Sequence, residues 1–135
     1  MTTINLSLNL ITGWLAFLLG ALSGALIGLR FHREDWLGGY TSFRRRLLRL
    51  GHIAFFGLGL INILFAICAS FTPQTNFVQA ASLMLAAGAA TMPAVCFLSA
   101  WKPAFRHVFF IPVILTAGGI GAFLLNWLLV EKIFQ

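Results

Sequence analysis

The sequence predicts an all-α integral membrane protein: a four-helix bundle of up-down topology, a single transmembrane domain over 1–135, with both termini outside. Three observations lead there. Of 135 residues, 60% are apolar and 9% charged, and a soluble domain of this size cannot bury so much hydrocarbon. Four apolar stretches, at 10–29, 50–71, 77–101 and 108–130, hold no Asp, Glu, Lys or Arg. Each has about the 20 residues that cross ~30 Å of hydrocarbon as a helix. Eight of the nine Lys and Arg residues fall between those stretches, at 30–49 and 102–106, as in loops retained in the cytoplasm.

The first span has no positive side chain before it and is too long for a cleaved leader, while Arg30 and Arg33 hold its far end inside. Its Gly20, Gly24 and Gly28 form a small-residue stripe that lets another backbone approach. Packing within the bundle is the first expectation for that stripe; docking to a membrane-protein partner or a homodimer is the alternative. The basic cytoplasmic loop 30–49 carries six Arg against Glu34 and Asp35, with Gly38 and Gly39 interrupting it. Thr41 or Ser42 is placed to cap a second helix that begins among the headgroups, where Arg44, Arg45, Arg46 and Arg49 meet anionic lipid.

The connector at 72–76 is uncharged and expected outside, whereas Lys102 and Arg106 hold the next one inside. In the third span a run of small residues at 86–90 precedes Pro93, where a kink is expected. The fourth carries Ala117, Gly118, Gly121 and Ala122, and Glu131 and Lys132 cancel beyond it. Asn62 and Asn126 are expected to hydrogen-bond across helices. Trp36, Trp101 and Trp127 fall near interfaces, as amphipathic rings do. Cys68 and Cys96 differ in depth by roughly 20 Å, beyond the reach of a disulfide, so both are expected as free thiols.

These placements restrict function. The net charge of +6 belongs to membrane loops, so no nucleic-acid partner is expected. No carboxylate lies within a span to carry protons or cations, and Asn62, Thr91 and Thr116 are too few to line a polar path. No nucleophile, base and orienter occur as a set and no phosphate-binding loop is present, so the chain is not expected to be an enzyme.

One constellation remains. His32, His52 and His107 fall at helix ends that the alternating topology brings to one side of the bilayer. In a square bundle the second and fourth helices are diagonal neighbours, so His52 and His107 would clamp a haem iron. Gly59 would leave room for the ring, and Arg45, Arg49 and Arg106 would pair with propionates. This arrangement resembles the plan of membrane b-type cytochromes, and the resemblance implies one haem b and electron transfer. A copper or zinc ion held by His52, His107, Cys96 and His32 is an alternative. The other alternative is a non-catalytic scaffold or accessory subunit of a larger complex. In each case the expected location is the cell inner membrane.

Overall fold

A computed structural model describes residues 7–133, with side chains described as far as Leu129. The expected cancellation of Glu131 by Lys132, and the chain termini, lie outside that description. Four helices are present: α1 (Ser7–Gly28), α2 (Phe43–Ser70), α3 (Asn76–Trp101) and α4 (Phe110–Ile133). Short 3-10 segments occupy Trp36–Gly38 and Pro103–Val108. All four helices are long and apolar enough to cross a membrane, and the exposed surface is rich in Leu, Ile, Phe and Trp.

Local chemistry sets the helix ends. Ser42 accepts a hydrogen bond from Arg45 N at 3.2 Å, so α2 starts at Phe43, well before the apolar run that begins at Leu50. Thr75 does the same for α3 through Val78 N at 3.4 Å. Lys102 is extended (φ −120°, ψ 108°) because Pro103 follows it. Pro112 sits in the first turn of α4, where backbone donors have no intrahelical partner to lose. Cys68 and Cys96 are free.

Each helix packs on its neighbour in sequence, and α1 also touches α3. α1 and α4 share no packed face, so the expected square does not close: α4 rests on α3. It reaches α2 through Phe123, whose ring lies 5.0 Å from that of Phe65. This contact caps a core of Phe65, Ala69, Val78, Ala81 and Leu85. Lipid is as apolar as leucine, so hydrophobicity alone gives the ring of helices no reason to close.

Glycine decides the α1–α2 crossing. A Cβ on Gly13 would lie 2.7 Å from the Gly59 carbonyl oxygen, and one on Gly59 would lie 3.0 Å from that of Gly13. Farther along, a Cβ on Gly20 would meet the Phe56 ring at 2.8 Å and one on Gly24 would meet His52 at 2.5 Å. These contacts climb α1 as they descend α2. Gly20 and Gly24 are therefore filled from within the molecule; of the stripe, only Gly28 has nothing beside it.

A sharp contrast is expected. Gly13→Ala sets a methyl against backbone and should cost about 1–3 kcal/mol. Gly57→Ala, where nothing lies within 4 Å, should be neutral or gain up to about 1 kcal/mol of helix propensity. Thermal unfolding in detergent micelles measures both; equal effects would remove the close crossing.

Candidate functional site

The basic end of the molecule is built around one buried arginine. The chain leaves α1 and turns back through Gly38 (φ 87°) and Gly39 (φ 90°), left-handed conformations that glycine adopts without strain. Arg45, in the first turn of α2, then fastens that turn. Its Nη1 donates to the Glu34 carbonyl at 3.3 Å and its Nη2 to the Arg33 carbonyl at 3.2 Å. The guanidinium lies 5.3 Å from the Phe31 ring centroid, 5.4 Å from Trp36 and 6.0 Å from Tyr40. Arg45 is 3% exposed, and its Nε has no partner. Carbonyl dipoles and three π faces here stabilise a charge that burial would otherwise penalise.

The roles expected for the arginines change accordingly. Arg45 does not meet lipid, and its two terminal nitrogens are already engaged by the loop. Arg49 is half-buried and stacks on Tyr40 at 4.4 Å. Arg44 and Arg46 are exposed. Arg106 is also exposed, with its Nε 3.5 Å from His107 Nε2.

The three histidines have different surroundings. His52 is half-buried and lies on α1 beside Gly24, edge-on to Phe56 at 5.3 Å. Its Nδ1 is 3.2 Å from Ser23 Oγ. That hydroxyl donates to the Gly20 carbonyl at 3.0 Å, an arrangement that suits the tautomer with its proton on Nδ1. His107 is exposed on the Pro103–Val108 segment, which packs against α3. His32 is exposed in the loop.

The metal set is corrected by this geometry. Among the described residues no three of His, Cys, Asp or Glu gather in a way that could hold a metal ion. Cys96 is buried behind Gly51 on the α3 side of α2, whereas His52 looks toward α1. Similar depth along two helices did not mean a shared face.

The residues expected around a haem are placed apart among the described residues. The space that Gly59 was expected to leave is filled by Phe17, 2.9 Å from a would-be Cβ, and by the Gly13 backbone. His52 packs toward α1 whereas the segment bearing His107 packs on α3, and α4 lies against α3 instead of across a centre from α2.

What α1, α2 and α3 do share is a polar node at Asn9, Asn62 and Ser82, each no more than 3% exposed. Asn9 Nδ2 donates to Asn62 Oδ1 at 2.8 Å and to the Ser82 carbonyl at 3.1 Å. Ser82 Oγ donates back to Asn9 Oδ1. Asn62 Nδ2 donates to the carbonyls of Leu58 at 2.9 Å and Leu85 at 3.1 Å. Every donor of both amides is used.

The expected cross-helix role of Asn62 is seen, and that of Asn126 likewise: Thr75 Oγ1 donates to Asn126 Oδ1 at 2.6 Å. Asn9 was missed by sequence reading because it precedes the apolar run. Its signal was spacing: Asn9, Gly13, Ala16 and Gly20 are all buried in α1, a stripe at intervals of four, three and four.

Comparison with protein families, with curated proteins and with solved structures finds no match to this chain.

Proposed function

We propose that the chain is a non-catalytic scaffold or accessory subunit of a larger membrane complex. It would be a multi-pass protein of the cell inner membrane, threaded up-down with the arginine-bearing end in the cytoplasm and both termini outside. The observation that carries this reading is the use of its polar groups. Asn9, Asn62 and Ser82 join three helices, Thr75 and Asn126 join α3 to α4, and Arg45 fastens a loop. Most of these polar atoms are engaged in holding the fold together, Asn126 Nδ2 and Arg45 Nε excepted, and Arg30, Arg33, Arg44, Arg46, Lys102 and Arg106 are exposed. The orientation is supported by loop charge, and the up-down threading of the first two helices by α1–α2 contacts that run in opposite directions along them.

Photo-cross-linking groups at Leu124 and Leu128, both exposed on α4, should trap one defined membrane protein in cells. Adducts to lipid alone, together with a monomer in mild detergent, would overturn the proposal.

Haem b is the second reading, and the single feature in its favour is His52. Its Nδ1 is held by Ser23, which orients the ring and frees Nε2 for an iron. The second axial ligand would then come from another chain or from a moved His107. A Soret band in the purified protein that disappears in His52→Ala would favour this reading over the first; a colourless protein after expression with ample haem would end it.

A further inference from the structure

We propose that the basic end of the bundle holds one anionic phospholipid of the surrounding bilayer, its phosphate at Arg44 and an acyl chain laid along α3. This rests on the reading that the chain spans a bilayer with its arginines at the headgroups.

Two hollows carry the proposal. One, of about 380 Å³, is lined by Leu37, Arg44, Leu48, Phe97, Ala100 and Trp101. The other, of about 270 Å³ and almost wholly apolar, runs between the α1 face from Thr12 to Leu19 and the α3 alanines 89, 90 and 94, and is also bordered by Phe55 and Phe97. Phe97 belongs to both. The walls continue from one to the other at helical spacing: Leu48 and Phe55 share a face of α2, and Trp101, Phe97, Ala94 and Ala90 recur every three or four residues on α3.

The α3 wall of the groove has the length of an acyl chain. From Trp101 to Ala90 is eleven residues, about 16 Å along a helix, close to half of the ~30 Å hydrocarbon thickness. This α3 wall matches the reach of a single acyl chain in one leaflet, and on α1 the lining continues through Leu15 to Thr12. The alanine floor at 89, 90 and 94 keeps the groove open.

The mouth selects an anion. Arg44 is exposed, and no acidic side chain lines the hollow with it. It sits in the first turn of a 28-residue helix, where the helix dipole adds to its positive charge. Lys102 follows Trp101 at the opposite wall and is exposed as well. Trp101, 78% exposed, is an amphipathic ring placed where the glycerol region would lie.

The test uses the full chain reconstituted into vesicles of phosphatidylglycerol and phosphatidylcholine in equal parts. Gentle extraction and native mass spectrometry then count retained lipids. One phosphatidylglycerol per chain is expected above the phosphatidylcholine background. Arg44→Gln should reduce that preference about five-fold, as removal of one surface cation does. Arg46→Gln, exposed two residues along on a different face of α2 and outside both hollows, should leave it unchanged. Ala94→Phe, which adds bulk at an exposed position, should displace the lipid while far-ultraviolet circular dichroism stays as in the parent.

Equal retention of the two lipids, equal loss in Arg44→Gln and Arg46→Gln, or an undiminished lipid in Ala94→Phe would each overturn the site. So would a protein bound in the groove in place of lipid. Release of the parent chain from membranes by carbonate washing would instead overturn the bilayer reading, and so separates the two failures.

Discussion

Arg45→Ala is expected to release the 29–42 loop and to destabilise the protein by about 2–4 kcal/mol, the sum of two charge-assisted hydrogen bonds and three ring contacts less the relief of unburying a cation. The loop depends on this side chain more than on its own sequence. Its backbone carbonyls at Arg33 and Glu34 are gathered by one guanidinium, and Phe31, Trp36 and Tyr40 pack around it. Arg45→Lys keeps the charge but loses the planar fork, so it should recover only part of the loss. Limited proteolysis reads the loop directly and unfolding in mixed micelles reads the stability. Unchanged protease resistance in Arg45→Ala would show that something else holds the turn.

Asn62→Leu is expected to destabilise the protein by about 1–2 kcal/mol. The substitution removes the acceptor for Asn9 Nδ2 and the donor to the Leu85 carbonyl. Two considerations set the magnitude. A buried amide left without a partner costs about 1–3 kcal/mol, but helices separated in lipid find other partners, which lowers the net value for a membrane hydrogen bond to ~0.6 kcal/mol on average. The node lies above that average because one amide bridges two helices. The pair Asn9→Leu and Asn62→Leu should be strongly non-additive, the double variant losing little more than either single one. Additive losses would mean that the two amides do not act together.

The four long apolar helices were legible because their signal is one of length and charge, and neither depends on which helix meets which. The loop geometry was partly legible. Gly38 and Gly39 marked the turn and Thr41 or Ser42 the cap; the two glycines act as expected and Ser42 is the residue that caps. Arg45 was not legible, since a row of arginines reads as a solvated or lipid-facing stripe. Only the aromatic residues Phe31, Trp36 and Tyr40, scattered ahead of it in the loop, hinted that one member would be enclosed.

The lateral order of the helices was hidden for a different reason. In water, a polar face tells a helix which way to turn; here both the lipid-facing and the packed surfaces of α4 are apolar, so periodicity carries little direction. The haem and metal proposals depended on that missing information. They assumed that α2 and α4 face one another, and they treated equal depth of His52 and Cys96 as proximity. Gly24 and Gly51 show what the faces are used for: one receives His52 on the α1 side, the other lets Cys96 and Phe97 approach from α3.

Threading through the bilayer is tested most directly by cysteine accessibility in a Cys68→Ala, Cys96→Ala background. Arg46→Cys and Gln74→Cys, both at exposed positions, are treated with a membrane-impermeant maleimide in intact cells and in inverted vesicles. The expected result is labelling of Gln74→Cys only in cells and of Arg46→Cys only in inverted vesicles. Labelling of both from the same side would contradict the membrane threading and the placement of the arginines at the cytoplasmic headgroups.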